Sequence, residues 1–317
     1  MDMDQIRTFV AVARSSSFGR AAESLHRSQP AISRRIELLE RALNVPMFDR
    51  TRAGVILTDA GAALLPFAEA VLAAARDGAE AVTALSRGEG GRISIALVGS
   101  LANAKFTDLL KQFRLRHPKV QLDVQTAISQ TVGELVLRGQ ATLGLRYLPD
   151  SRPGLRSQII AREKMRVVCA PEHRLADGRS HRPNELAGER WVAFSSSRTP
   201  KESFVQFLER KLLAAGLEDV DIIPIDGLTA QKRLVEAGFG VALLAESGIE
   251  DELRAGSLTV LRVPALEATI PIAVVQRSNG YLSPAAQSLL AMIANPAPRS
   301  AGRARARTTM RERSIPA

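Results

Sequence analysis

The sequence predicts a multidomain α+β protein with a small helical head, one long connecting helix and a larger α/β half in two lobes. Three observations carry this expectation. Apolar residues recur at helical spacing through the first 43 positions, and only two short β-like runs follow before residue 58. A stretch from Thr58 to about Ser86, rich in Ala, keeps one apolar stripe along its length. From Arg92 to Ala294, strand-like and helix-like runs alternate. At 317 residues there is room for two or three full cores, and 45% hydrophobic with 24% charged residues is the balance of a globular chain.

In the head, Ile6, Phe9, Val10 and Ala13 fall at i, i+3, i+4 and i+7, the stripe of an amphipathic helix that Ser15-Ser16-Ser17 then stops. Ser17 suits the N-cap of a short second helix carrying Ala21, Ala22 and Leu25 inward. The turn at His26-Arg27 is long enough only for two helices meeting steeply. Ser28 suits the next N-cap, and Pro30 removes an N–H that would lack a partner in the first turn. In this third helix Ile32, Ile36, Leu39 and Leu43 share the face to be buried, while Gln29, Ser33, Arg34 and Glu37 share the opposite one. Gln, Ser and Arg donate to base edges and phosphates, so this helix-turn-helix is a DNA-reading candidate, although an ordinary solvated face has the same pattern. Val45-Pro46-Met47-Phe48 then ends the helix and adds to the core. Arg50 to Leu57 reads as a hairpin with a Gly-containing turn, and Arg50 and Arg52 on such a wing can reach phosphate or the minor groove.

Thr58 can cap the long helix. Leu64, Ala68, Val71, Ala75, Val82 and Leu85 fit a heptad seam for pairing with a second copy, with Gly78 its weak position. Pro66 conflicts with a continuous helix and predicts a kink. Arg87-Gly88-Glu89-Gly90-Gly91 reads as a hinge. Beyond it, strands at Arg92 to Val98, Val120 to Thr126 and Ala141 to Arg146 alternate with helices at Phe106 to Arg116 and about Thr131 to Arg138, a parallel βαβαβ sheet. Strands at Met165 to Ala170, Trp191 to Phe194, Asp221 to Ile225 and Val241 to Ala245, with helices at Glu202 to Ala214 and Ala230 to Ala237, form a second βα set. A strand at Pro271 to Gln276 and a helix at Pro284 to Ala294 close the fold. Residues 295–317 hold six Arg without apolar periodicity and are expected to be a disordered basic tail.

The formal charge of +10 sits at the two ends, with +3 in residues 1–58 and +5 in residues 295–317. This placement fits nucleic-acid contact by the head. A lone Cys169 forms no internal disulfide, no basic-apolar leader opens the chain, and the longest apolar run, residues 62–75, is interrupted by Pro66 and Glu69. A cytoplasmic protein without membrane contact is expected. His26, His117, His173 and His181 lack metal-ligand spacing, and neither a phosphate loop nor a dinucleotide fingerprint is present, so no cofactor, no metal and no catalysis are expected.

Residues 1–61, MDMDQIRTFVAVARSSSFGRAAESLHRSQPAISRRIELLERALNVPMFDRTRAGVILTDAG, resemble the winged helix-turn-helix of LysR-type transcriptional regulators. GQATLGLRY and LTAQKRLVEAGFGVALLAES resemble that family's effector-binding half, and the likeness extends over residues 1–294. The resemblance implies an N-terminal winged helix-turn-helix, a long linker helix and a C-terminal two-lobed α/β domain like a periplasmic binding protein. It implies dimers, usually paired into tetramers, on double-stranded promoter DNA, a small-molecule effector between the lobes, and RNA polymerase as a further partner. Carried over residue by residue, DNA contacts fall on Ser28, Gln29, Pro30, Ser33, Arg34 and Arg35, with the wing contact at Arg52. The corresponding divisions are 1–58 for the head, 59–91 for linker and hinge, and 92–294 for the effector half. Lobe I is expected at about 92–163 with 268–294, and lobe II at about 164–267.

Open α/β sheets bind ligands beyond the carboxyl ends of their strands, where helix N-termini offer free N–H groups. Ser100, Thr126 with Ser129, and Ser195 with Ser196 hold such positions, and Thr229 lies at a cleft rim. Arg146 ends the third strand, where it can pair with a carboxylate ligand. Ser100, Ser129 and Thr229 also suit helix caps, and Arg146 a structural ion pair. A transport-associated solute-binding protein would share the α/β half but not the head, and a regulator with a vestigial cleft would bind DNA whatever the ligand.

Overall fold

The computed structural model describes residues 1–51, 54–87, 91–194 and 203–295. In the head, α1 (Met3–Ser15) starts at a reciprocal cap, with the Gln5 amide N–H donating to the Asp2 carboxylate at 2.8 Å and the Asp2 N–H to the Gln5 side chain at 2.9 Å. Ser17 caps α2 (Phe18–Ser24), and Ser28 precedes α3 (Gln29–Leu43). β1 (Phe48–Thr51) and β2 (Gly54–Leu57) pair as an antiparallel hairpin. Ile32, Ile36 and Leu39 bury the expected face of α3 against Phe9 and Met47. Leu43 departs from that expectation: it is 39% exposed, because the helix ends there and Asn44 turns left-handed at φ 52.

α4 (Asp59–Arg87) is one helix of 29 residues that continues through Pro66. The Thr58 hydroxyl accepts from the Gly61 N–H at 3.0 Å, capping it as expected. The expected seam divides in two. Leu64 and Ala68 turn into the core of the head, whereas Val71, Ala75, Gly78 and Val82 are exposed together with Phe67. The hinge at 88–90 and the tail from 296 lie outside the described residues.

The effector half follows in order: β3 (Gly91–Leu97), α5 (Ala104–Arg116), β4 (Val120–Thr126), α6 (Ser129–Leu137), β5 (Leu143–Tyr147) and β6 (Leu155–Cys169). Then come β7 (Trp191–Ala193), α7 (Ser203–Ala214), β8 (Ile222–Pro224), α8 (Leu228–Glu236), β9 (Ala242–Ala245), α9 (Glu250–Ala255), β10 (Thr259–Leu261), β11 (Ala268–Arg277) and α10 (Pro284–Ala294). β5, β3 and β4 are parallel neighbours, as expected for lobe I. The second set differs from the expected βα repeat. β9 and β10 both run antiparallel to β6, and the parallel pairing there joins β7 to β8. β6 and β11 are longer than predicted and run antiparallel to each other from Leu155–Arg277 to Met165–Ala268, with an irregularity at Ile272/Ala273. They tie β9 and β10 to the first group of strands in one sheet ordered β10-β6-β11-β5-β3-β4, with β9 on β6, while β7 and β8 form a separate two-stranded sheet. The β3–β5 side is lobe I and the β7–β10 side lobe II.

Candidate nucleic-acid interface and effector cleft

Packing α3 by Ile32, Ile36 and Leu39 leaves Ser28, Gln29, Pro30 and Arg34 exposed at its start, with Ser33 half-buried. The Ser28 hydroxyl makes no cap hydrogen bond, so the first N–H groups of α3 remain available to an anion such as phosphate. Arg34 lies 3.4 Å from Glu37, and both side chains are more than half exposed. Such a pair is worth about 0–1 kcal/mol and yields readily to a phosphate or base. Arg35 is placed differently. One residue round the helix, it pairs with Asp4 of α1 at 3.2 Å and fastens α3 to α1, which turns it off the reading face. The Arg50 backbone pairs with Val55 in the hairpin; the Arg50 side chain and Arg52 lie outside the described residues. Arg27 adds a further cation at this end of the helix. It is exposed immediately before Ser28, beyond the left-handed His26 at φ 51, and its only signal in the sequence is a basic residue in the turn. The hairpin is anchored to the end of α1, where the Val55 N–H donates to the Ser16 carbonyl at 3.3 Å. Gly54 has φ +129 there, and a Cβ on it would come 3.3 Å from the same oxygen.

A cavity of about 290 Å³ lies between the lobes. Ser100, Thr126 and Ser129 line it, as expected from the ends of β3 and β4. α6 opens after Ile128 and α8 after Gly227, each without a side-chain cap, and both N-terminal residues line the cavity. Two helix starts whose N-cap residues give no side-chain cap therefore border one space, and the positive ends of the two helix dipoles favour an anion there. Among the described lining residues the charged one is Asp226, so a second negative charge on a ligand would meet repulsion there.

Two expected contacts lie away from this cavity, and two are outside the described residues. Thr229 is exposed on the second position of α8 and does not line the cavity, since Asp226, Gly227, Leu228 and Gln231 take that wall. Ser195 and Ser196 lie outside the described residues. Arg146 is 4% exposed and paired with Asp150, which also accepts from the Arg152 side chain at 2.9 and 2.7 Å. Burial alone would raise the Asp150 carboxyl, but hydrogen bonds from Arg152 and the charges of Arg146 and Arg152 outweigh it and hold it below the usual range. Successive residues of a strand face opposite sides, so with Arg146 on the buried-pair side of β5, Tyr147 faces the cavity. Its hydroxyl lies 2.8 Å from that of Ser100, and burial pushes the phenol well above its ordinary range, so it stays protonated. Gln231 is 2% exposed, and its amide nitrogen donates to the Val192 carbonyl at 2.8 Å. Neither Tyr147 nor Gln231 was foreseen; alternation along GLRY was the available signal for Tyr147.

A reading head joined by a long helix to a two-lobed sensor defines a ligand-responsive DNA-binding regulator. Sequence comparison gives the family. The LysR substrate binding domain matches residues 86–297, and the bacterial regulatory helix-turn-helix of the lysR family matches residues 3–62. The chain belongs to the LysR family of DNA-binding transcriptional regulators and carries its effector-binding domain. It is 30% identical over 299 residues to the HTH-type transcriptional regulator CfxR of Cupriavidus necator, covering 92% of this chain and 91% of that one. The fold is similar to the crystal structure of CbnR, a LysR family transcriptional regulator, at TM-score 0.64 and 24% identity over 92% of this chain and 98% of that one. Full-length CbnR complexed with its target DNA gives 0.62 at 24% identity, covering 92% and 99%. Among the described residues no helix is long and apolar enough to cross a membrane, and no group of three His, Cys, Asp or Glu could hold a metal.

Proposed function

We propose that Gln29, Ser33 and Arg34 read base edges in the major groove of promoter DNA, while Ser28, the α3 N-terminus and Arg27 hold phosphate and the Arg50–Arg52 wing reaches the minor groove. The observation that carries this reading is the exposure of Gln29 and Arg34 beside an uncapped helix start on an otherwise well-packed head. CbnR, of similar fold, has been solved with its target DNA, which supports the same docking. The protein acts in the cytoplasm as a homodimer or a pair of dimers, without catalysis. Its partner face is the exposed row Phe67, Val71, Ala75, Gly78 and Val82 of α4, whose small residues allow close helix approach. The functional divisions are residues 1–58, 59–91 and 92–294, with lobe I holding 92–163 and 268–294. The cleft takes a small monoanion such as a carboxylate, held by the α6 and α8 N-termini with Ser100, Thr126 and Ser129, and its occupancy tunes contact with promoter and RNA polymerase.

A gel-shift titration with the protein's own selected DNA tests the reading face. Gln29→Ala and Arg34→Ala should each bind about 5- to 150-fold more weakly, the equivalent of about 1–3 kcal/mol per base contact. Unchanged, sequence-selective binding by both would remove these residues from the reading face. Footprints with and without a panel of carboxylates test the cleft, because a vestigial cleft gives the same protection in every lane.

A further inference from the structure

The head, the linker helix and lobe I meet around one buried carboxylate. Glu69, on α4, is 5% exposed. Its Oε1 accepts from Nη2 of Arg14, in the last turn of α1, at 3.1 Å. Its Oε2 pairs with Nε of Arg138, the residue that follows α6, at 3.1 Å. Gln140, with its amide oxygen turned toward Arg14, accepts from the two terminal nitrogens of that side chain at 2.7 and 3.0 Å. Farther along α4, Nη2 of Arg76 donates to the Arg138 carbonyl at 3.0 Å. Asp77 accepts from Nη2 of Arg277 at 2.6 Å and from the Tyr281 N–H at 3.2 Å. The two surfaces approach closely between these contacts, for Gly139 is left-handed at φ +66 and a Cβ there would lie 2.6 Å from the Cβ of Ala73.

This joint is made of charge. A carboxylate shared by two guanidinium groups is directional and specific, yet it can be released and remade in water without exposing a large apolar surface. The same α6 that leads into Arg138 begins with Ser129 on the effector cavity. Val132 and Val136 are fully buried and lock its length onto the lobe I sheet, so its two ends, roughly 13 Å apart at 1.5 Å per residue, move together.

We propose that Glu69 is a positioning residue: gripped by Arg14 and Arg138, it sets the orientation of the reading head relative to the effector half, and α6 carries cleft occupancy to that joint. The first clause stands on the contacts alone. The second rests on the effector reading given above.

Distance measurements between spin labels on the full chain test the first clause. Leu43→Cys on α3 and Leu115→Cys on α5 place labels at exposed sites on the head and lobe I, and the native Cys169 is buried. Labelled chains diluted into unlabelled protein report distances within one chain. The parent should give one narrow distribution, Glu69→Gln and Arg138→Ala a broad one, and Arg138→Lys a narrow one again. An unchanged distribution in Glu69→Gln overturns the proposal; if that variant fails to fold, an unchanged distribution in Arg138→Ala does so. The consequence for recognition is read with duplexes carrying two half-sites at stepped spacing. The parent should prefer one spacing by about tenfold and Glu69→Gln by less than about threefold, with single half-site affinity unchanged. Lost half-site affinity would overturn the positioning role. Failure of the parent to bind DNA would instead strike the reading-face proposal and leave the distance result standing. For the second clause, a carboxylate that stabilises the parent thermally should shift its distance distribution; stabilisation without any shift overturns the α6 link.

Discussion

Replacing Asp150 with Ala should unfold the effector half far more easily than any change on its surface. Asp150 is 6% exposed and Arg146 4%, and the Asp150 carboxylate pairs with the Arg146 guanidinium. Arg152 reinforces the same carboxylate through its side chain and through its own N–H at 3.1 Å, and a Cβ added to Gly133 of α6 would overlap both residues. Asp150→Ala therefore takes one carboxylate from two guanidinium groups at a buried site, and removing one partner of such a buried pair costs about 3–5 kcal/mol. A body the size of residues 86–297 loses about 2–4 °C per kcal/mol, so the melting temperature should fall by roughly 6–20 °C. Urea titration followed by circular dichroism gives the same quantity directly. The acid limb follows from the sign of the shift. Because the folded Asp150 carboxyl lies below its unfolded value of about 3.9, its contribution is present above that pH and is lost as pH falls through the folded value. A cost below about 1 kcal/mol would refute the structural assignment of Arg146 and return it to the list of ligand contacts.

Tyr147→Phe should remove the hydrogen bond to Ser100 at a cost of about 0.5–1.5 kcal/mol, measured by urea titration, and should alter which ligands stabilise the protein in thermal-shift assays. His181 is held above its usual range chiefly by its hydrogen bond to Glu185, against burial, with Asp177 adding to it. Its stabilisation is thus complete below about pH 6.5 and is lost as pH rises through the folded value, so His181→Asn should flatten the difference in melting temperature between about pH 6 and pH 8. Burial, aided by Glu189, pushes the Cys169 thiol up to about 12, so a maleimide at about pH 8 should label the protein in urea and leave the native form unmodified over the same minutes.

The head was legible because each of its elements is specified locally. Ser17, the Ser28-Gln29-Pro30 start and the Thr58 cap mark helix boundaries within one turn, and Ile32, Ile36 and Leu39 alone decide which face of α3 is left outward. Where a contact crosses the chain, the sequence carried less. Arg35 looks like Arg34 until Asp4 is brought to it from α1. Leu64 and Ala68 fit a partner seam until the head folds back over them. The first ten residues of β6 hold polar and apolar side chains with little burial, so no clear alternation marks them as strand, although β11 fixes them by backbone hydrogen bonds. In the cleft, serines and threonines after strands are visible from their places. The direction of Arg146 is not, because the alternation that points it to Asp150 and Tyr147 to the cavity is fixed only once β5 lies between its neighbours.

The ladder between β6 and β11 has a consequence for how this half is put together. The chain crosses between the strand groups twice, and at the crossing the two strands are partners: Met165 stands opposite Ala268, and beyond Met165 the same strand is taken over by β9. Lobe II is in this sense a hundred-odd residues spliced into the tip of a long hairpin of lobe I. The hairpin needs only a short turn to close at that point, and β5 continues to pair with β11 whatever the tip contains. The ligand is shared across that splice, since Ser100, Thr126 and Ser129 face the cavity from one side and Asp226, Gly227, Leu228 and Gln231 from the other, so a different insert grafted between Met165 and Ala268 would inherit half of the cleft wall together with the same grip on the DNA-reading head.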